Sequence, residues 1–299
     1  NIIDTMKPNV ITLNEHGLKN RQKLEIDNFN SYNKNRQNSA MGGVSISVVD
    51  EEAKYCVKSC EGKNDNEYLI VRHDQFNPPI NIFTIYGEQE SRTSQENSEA
   101  LWAEIVEELV KIKNRHENVL IIGDLNKHIG NDELGVKENH SKISRGGPYI
   151  RTLLKTTEYI LVNNSDKTEG GPFTRFDPEY PDDDDKKSCL DLVIVSRQLF
   201  PFIEKLLIDK NGVYTATRVT KTKTIKPDHY PLIITFKHLP MKNHKIIKSK
   251  AEVIWNTNRK GGWEAYKAAT SDNHELDDLF RDQIINIDDE IIKFERITN

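Results

Sequence analysis

The stretch "VLIIGDLNKHIG", residues 119–130, decides the fold of this chain. Its first four residues are apolar, which is typical of a strand that is buried on both faces. The run stops at Gly123, and an acid and an amide follow closely, Asp124 and Asn126. Asp and Asn also favour turns, because their side chains bond to nearby backbone, so an Asx turn explains them equally well. A functional interpretation therefore requires that other strands end in the same way.

The composition is that of a globular chain without a membrane span. The 299 residues allow one large α/β domain with an appendage, and 36% hydrophobic and 30% charged residues suit such a fold. No apolar run approaches the length of about 18 residues that a bilayer requires, so no membrane partner is expected. A net charge of −5 does not by itself indicate nucleic acid as a partner, because nucleic-acid-binding domains usually carry a basic face.

The cysteines and one acidic run are two features that could form sites of their own. Cys56, Cys60 and Cys189 do not make a disulfide framework, which favours free thiols in a reducing compartment. Residues 182–185 are four consecutive aspartates, which we interpret as a solvated loop. Neither feature predicts chemistry of its own.

Strand and helix patterns alternate along most of the chain. Runs rich in β-branched and aromatic residues predict strands, among them "NVITL", "YLIVRHD", "NIFTIYG", "CLDLVIVS" and "YPLIITF". The segment "GGVSISVV", residues 42–49, alternates in the manner of a half-buried strand. Residues 98–114 place apolar side chains every three or four positions, which predicts an amphipathic helix capped by Ser94 or Ser98. The alternation predicts an α/β fold with stacked sheets rather than an all-β sandwich.

The amino-acid composition changes near Pro240, beyond which Lys, Asn and acidic residues dominate. We therefore expect residues 1–240 to form the globular domain. Residues 241–299 are predicted to be a linker followed by a helical extension.

Several predicted strands carry, at or near one end, a side chain that binds metals or transfers protons. These residues are Glu15, Tyr86, Asp124, Asn126, Asp191, Asp228 and His229. Stacked sheets bring strand ends to one mouth, where carboxylates hold Mg²⁺ together with waters and a substrate phosphate. An ionised Asp activates water, Asn and Tyr donate to the phosphate, and an imidazole stabilises the charge. The set therefore predicts hydrolysis of a phosphate ester.

Each of these residues alone has a simpler explanation. A glutamate at a strand end, such as Glu15, is commonly a solvated rim residue, and Tyr86 suits core packing. Asp191 lies within an apolar strand and is harder to dismiss, because burying a carboxylate without a partner is unfavourable. His229 has the alternative of a hydrogen bond to a backbone carbonyl. The joint order of the motifs favours the functional interpretation.

That order resembles the endonuclease/exonuclease/phosphatase superfamily. The matching segments are "LNEHGL" (13–18), "IYGEQE" (85–90), "IIGDLNKHIG" (121–130), "SCLDLVIVS" (188–196) and "KPDHYPLIITF" (226–236). The resemblance covers residues 1–240 and implies a four-layered α/β sandwich, in which helices flank two stacked mixed β-sheets. Within the superfamily the chain most resembles the apurinic-like endonuclease domain of non-LTR (LINE-type) retrotransposons, through "GGVSISV", "YGEQES" and "GDLNKHIG".

The resemblance implies a cofactor and the residues that would hold it. Glu15 would ligate Mg²⁺, with Mn²⁺ as a second candidate, and Asp228 would assist the metal or its waters. Tyr86 would bond the scissile phosphate.

The resemblance also implies the proton chemistry. Asp124 would activate or orient the attacking water, and Asn126 would help to position the water or the phosphate. Asp191 would hold the imidazole of His229, which would contact the phosphate and stabilise the transition state. Water would attack directly, leaving a 3′-hydroxyl and a 5′-phosphate.

The chain departs from the family pattern in two places. The family opens with a strand that bears an Asn ligand well before the glutamate, and this chain begins too late to contain it, so we expect that strand to be missing. The usual "SDH" reads "PDH" here, where Pro227 stiffens the loop but Asp228 and His229 are kept.

The basic segment "ATRVTKTKTIK", residues 216–226, is the best candidate for contacts to DNA phosphates. Its cations are Arg218, Lys221, Lys223 and Lys226. As a hairpin beside the Asp-His pair the segment would lie along the DNA backbone, and Tyr214 would stack on a base. A solvated edge hairpin, whose lysines discourage sheet pairing, explains the same residues equally well. Arg145 is a weaker second candidate.

The sequence therefore predicts a Mg²⁺-dependent DNA endonuclease that nicks target DNA for retrotransposition. We expect a nuclear location and a longer polyprotein that continues into a reverse transcriptase. One alternative is an apurinic/apyrimidinic repair endonuclease of the same fold, and another is a catalytically dead nucleic-acid-binding remnant. A phosphatase acting on inositol phosphates, or a sphingomyelinase, fits the GDLN motif and the C-terminal segment less well.

Overall fold

The computed structural model describes residues 2–19, 22–36, 42–89, 94–130, 143–156, 159–211, 218–219, 224–225 and 227–242. Residues 243–299 lie outside the described residues, and with them the predicted linker and helical extension. The predicted boundary near Pro240 therefore stays a prediction. In the part of the chain that the structure describes, no helix has the length and apolar character needed to cross a membrane.

The described elements alternate between strands and helices. The strands are β1 (Val10–Asn14), β2 (Phe29–Lys34), β3 (Val44–Val49), β4 (Cys56–Glu61), β5 (Glu67–His73), β6 (Ile80–Tyr86), β7 (Asn118–Asp124), β8 (Tyr159–Leu161), β9 (Thr168–Glu169), β10 (Asp191–Ser196), β11 (Ile203–Ile208), β12 (Arg218–Val219), β13 (Thr224–Ile225) and β14 (Leu232–Phe236). The helices are α1 (Ile2–Met6), α2 (Asp50–Ala53), α3 (Gln95–Asn114) and α4 (Gly147–Thr156).

A six-stranded sheet in the order β4-β5-β6-β7-β10-β8 forms the centre. Strands β6 and β7 are parallel, and the other neighbours are antiparallel. All seven residues of β6 are buried, because helices cover one face of the sheet and a second β layer covers the other. The continuous apolar runs of the sequence follow from this burial on both faces.

The helical layer consists of α3 and α4. Ser94 caps α3, since its hydroxyl accepts a 3.1 Å hydrogen bond from the backbone N–H of Asn97. The apolar stripe of α3, with Trp102 and Ile105, packs together with Ile150 of α4 and Phe83 of β6 in one core. The predicted amphipathic helix is therefore confirmed, and it begins three residues earlier than expected, at Gln95.

The second β layer contains two three-stranded sheets, β1-β3-β2 and β14-β11-β9. The apolar side chains of β3 and β11 share a core with the central sheet. The prediction that β3 is half-buried is wrong: Ser45 and Ser47 are fully buried as well. β3 lies between β1 and β2, and the Ser47 hydroxyl pairs with that of Ser31 at 2.8 Å. The whole is the predicted α/β sandwich, mixed sheets with flanking helices.

Candidate active site

One edge of the central sheet collects the polar strand ends. Because β6 and β7 are parallel, Tyr86 and Asp124 leave the sheet at the same edge, and antiparallel β10 begins there with Asp191. The register places Asp191 directly opposite Asp124. A Cβ at position 123 would lie 2.2 Å from the Ile85 carbonyl oxygen, so the strand can end this way only at glycine.

Asp124, Asp191 and His229 form a tight cluster, with donor atoms that all lie within 4.8 Å of one another. Nδ1 of His229 lies 2.8 Å from Oδ2 of Asp191. The partner of this imidazole nitrogen is therefore a carboxylate, and not the backbone carbonyl that was the alternative. Asp124 is 8% exposed, whereas the His229 side chain keeps 31% of its surface exposed and faces the solvent at the rim.

The cluster raises the pKa of both of its proton-transferring groups, Asp124 and His229. Burial and the charge of Asp191 raise the pKa of Asp124 to about 7, against the opposing effect of His229. Burial alone would lower the pKa of His229, but the hydrogen bond to Asp191 and the surrounding carboxylates raise it to about 9. Between these values Asp124 is ionised and His229 is an imidazolium, which is the pairing that acid–base catalysis requires.

Asn126 orients Asp124 through a turn. Its backbone N–H donates to Oδ1 of Asp124 at 2.9 Å, and its Nδ2 donates to Oδ2 at 3.1 Å. The same Nδ2 donates to the Gly87 carbonyl at 2.8 Å, and Asn126 has a φ of 49°. The Asx turn that the sequence offered as an alternative is therefore present, and the same turn positions Asp124, the candidate base. In this arrangement the amide serves Asp124, while contact with a phosphate stays a prediction.

Glu15 and Tyr86 meet at the same edge. The Tyr86 hydroxyl donates a hydrogen bond to the Glu15 carboxylate, and the body of Tyr86 packs in the core. Burial and Glu15 raise the pKa of Tyr86, which keeps the hydroxyl protonated and able to donate. Glu15 has a φ of 53°, a conformation that is unfavourable for a side chain with a Cβ and that is enriched at functional sites.

The loop that carries Glu15 is anchored by a buried acid. His16 N–H donates to the Gly43 carbonyl at 3.4 Å, and the Gly43 N–H donates to the carboxylate of Glu67. The Glu67 side chain is 1% exposed and lies 3.4 Å from the guanidinium of Arg36. No sequence pattern signals this support, since it depends on residues from separate segments of the chain.

The donor chemistry of the edge fits a hard divalent cation. The carboxylates of Asp124 and Asp191 meet in the cluster, and the charges of Asp191 and, less strongly, Glu15 contribute to the raised pKa of Asp124. Carboxylate oxygens are the ligands that Mg²⁺ prefers in proteins. Asp228 is placed differently, with its carboxylate 3.4 Å from the guanidinium of Arg175 and 45% exposed. Its predicted role at the metal or its waters stays a prediction.

Thr174 is a site residue that the sequence did not reveal. It is fully buried, and its hydroxyl oxygen accepts hydrogen bonds from the backbone N–H groups of Leu190 and Asp191, each at 3.0 Å. Its carbonyl accepts from the N–H of Tyr230 at 2.7 Å. Thr174 thus joins the start of β10 to the segment of His229. The role of Thr174 could not be predicted from the sequence, because a single threonine in a loop belongs to no periodic pattern.

We expect Thr174→Val to lower kcat for the reaction proposed below by about 10- to 100-fold, because the Asp191–His229 pair loses its alignment. The valine keeps the shape but leaves two N–H groups without an acceptor, so a loss of about 1–3 kcal/mol of stability accompanies it. Steady-state kinetics at a temperature where the variant is folded measures this. The control is Ser47→Ala, a buried hydroxyl in β3, and an equal loss of kcat in both variants would contradict the assignment.

The predicted DNA-binding segment is described only in part. Its backbone forms a hairpin, in which Arg218 of β12 pairs with Ile225 of β13. Lys221, Lys223 and Lys226 lie outside the described residues, as does Tyr214, so the DNA-binding role of this segment stays a prediction.

No protein-family model and no curated protein matches the sequence. Solved structures do match. An AP endonuclease from Leishmania major has a TM-score of 0.59 at 14% identity over 79% of this chain and 80% of that one. The 3′ phosphatase NExo from Neisseria, bound to a product DNA hairpin, has a TM-score of 0.56 at 16% identity over 79% and 92%.

These similarities show the fold: the chain has the α/β sandwich fold of these DNA-processing enzymes, which is the fold that the sequence resemblance implied. The particular resemblance noted in the sequence is also matched. The endonuclease domain of TRAS1, a telomere-specific non-LTR retrotransposon, has a TM-score of 0.50 at 12% identity over 79% of this chain and 89% of that one.

Proposed function

We propose that this chain is a divalent-metal-dependent DNA endonuclease that hydrolyses a phosphodiester bond. The observation that carries the proposal is the cluster of Asp124, Asp191 and His229. The Asp191 carboxylate lies 2.8 Å from Nδ1 of His229, and Asp191 lies opposite Asp124 on the adjacent strand. The similar structures named above include enzymes that act on DNA, and this supports DNA as the substrate.

Each residue of the cluster has a task in the proposed reaction. The ionised Asp124 accepts a proton from the attacking water, whose oxygen bonds to phosphorus as the bond from phosphorus to the 3′ oxygen breaks. His229, as an imidazolium held by Asp191, donates a hydrogen bond to the phosphate oxygens, where negative charge increases. The neutral Tyr86 hydroxyl, whose one proton is donated to Glu15 in the structure, would be a second donor to the phosphate when Glu15 ligates the cation instead. The leaving 3′ oxygen takes up a proton from solvent water to become a hydroxyl, and the phosphate stays on the 5′ end.

A divalent cation, when bound, neutralises phosphate charge and polarises the reacting oxygen. Glu15 would hold it, with Asp124 and Asp191 close by and Asp228 at the rim. Mg²⁺ is the proposed ion and Mn²⁺ a second candidate.

The biological role that we favour for this endonuclease activity is the nicking of target DNA for retrotransposition. The sequence motifs and the similarity to the TRAS1 domain support it. An apurinic/apyrimidinic repair endonuclease is the second candidate, favoured by the similarity to the Leishmania enzyme. With the retrotransposon role we also propose a nuclear location and continuation of the chain into a reverse transcriptase.

Nicking of supercoiled plasmid tests the activity and its metal dependence together. We expect conversion to open circles in Mg²⁺ or Mn²⁺ and none after EDTA, with activity restored by added metal. Ligation of the nicked product, which requires a 3′-hydroxyl and a 5′-phosphate, checks the polarity. Cleavage restricted to duplexes with an abasic site would select the repair enzyme, and DNA binding without any cleavage would select the inactive remnant.

A further inference from the structure

A cation that the sequence did not single out lies between the two catalytic segments. The backbone of Arg175 forms isolated antiparallel bridges to both Ser188 and His229. Next to it, the N–H of Phe176 donates to the Asp228 carbonyl at 2.8 Å. The position of Arg175 is thus fixed relative to His229 by backbone hydrogen bonds on both sides, while its side chain remains 41% exposed.

The neighbouring lysines of the same loop are already engaged. Lys187 lies 2.7 Å from Asp184, and Lys186 lies 3.0 Å from the centre of the Tyr180 ring. Arg175 has a looser pair, 3.4 Å from a carboxylate of Asp228 that is itself 45% exposed. Exposed ion pairs of this kind contribute little to stability, so the guanidinium can exchange this partner for another anion.

We propose that Arg175 binds a backbone phosphate of the substrate strand next to the scissile phosphate, and so sets the affinity for DNA. This rests on the proposed function. Adjacent strand segments are about 4.8 Å apart, and successive phosphates advance about 3.4 Å along the duplex axis, so an Arg beside His229 reaches the neighbouring phosphate. A guanidinium bonds a phosphate through two parallel N–H groups. The contact also offsets the repulsion between DNA and the carboxylates of the cluster.

Fluorescence anisotropy of a labelled duplex, with Arg175 variants made in a His229→Ala background, measures this contact without cleavage. Between about 50 and 200 mM salt, Arg175→Ala is expected to reduce the slope of log K against log salt by about 1. Affinity falls to a similar extent for unrelated sequences, and Arg175→Lys keeps the slope. In the otherwise wild-type chain, KM for nicking rises while kcat changes little.

The matched control is Lys205→Ala. Lys205 has the same exposure of 41% and lies at the same 3.4 Å from a carboxylate, that of Glu169, but its partner strands are β14 and β9. An unchanged slope for Arg175→Ala, an equal loss for Lys205→Ala, or a fall in kcat at constant KM would overturn the proposal. If the chain binds DNA through Arg175 but cuts none, the nuclease function fails and this inference survives. If it neither binds nor cuts, both fail.

Discussion

The Asp124→Asn variant is expected to nick DNA about 10³-fold more slowly than the wild-type chain, with KM nearly unchanged. The amide has almost the shape of the carboxylate, but it does not accept a proton from water. Because the wild-type pKa of Asp124 is raised to about 7, the wild-type rate should increase with pH through that value, as the carboxylate ionises. The variant should lose this acidic limb of the profile.

The loss is expected to be one of chemistry and not of folding. Asp124 faces Asp191 in the strand register, and like charges placed directly opposite one another destabilise a sheet. Because folding raises the pKa of Asp124, the ionised carboxylate lowers the stability of the folded chain at alkaline pH. Removing this charge should therefore leave the alkaline melting temperature at least as high as that of the wild type. Glu117→Gln is the control, a buried acid beside the opposite end of β7. A variant that melts much earlier, or that retains full activity, would contradict the role.

The His229→Asn variant should lose about 10³-fold in kcat as well, and with it the alkaline limb of the pH profile. In the wild-type chain the pKa of His229 is raised to about 9, so activity should fall above that pH as the imidazolium loses its proton. Together with Asp124 this gives a bell-shaped dependence with limits near pH 7 and pH 9. Initial rates across this range, at constant ionic strength, measure it.

Stability provides an independent check on the same pair. The pKa of His229 is raised from 6.5, so its contribution to folding is complete below that pH and is lost as pH rises towards 9. The wild-type melting temperature should therefore fall over this interval, and His229→Asn should flatten the fall. His73→Asn is a matched control, because His73 pairs with Glu52 at 3.0 Å and lies at the far end of β5. Loss of catalysis in this control would show that any broken histidine–carboxylate pair disables the chain.

Much of the fold follows from patterns of neighbouring residues. The runs that become β5, β6, β7 and β10 are apolar because both of their faces are buried, and the stripe of α3 repeats at the helical period. The sequence patterns do not predict strand β2, "FNSYNK", because its residues are mostly polar. This segment is a strand because its backbone pairs with β3. Propensity is a weak guide where tertiary pairing supplies the hydrogen bonds.

The sequence by itself determined the chemistry of the site: which acids, amides and imidazole stand at strand ends, and that these ends alternate with apolar runs. Only the tertiary structure decided their geometry. The pairing of β7 with β10 sets Asp124 opposite Asp191, and the bridges of Thr174 and Arg175 set the loop of His229 beside them. The reason is that strand register and loop placement depend on contacts between segments far apart in the chain, which no local pattern specifies.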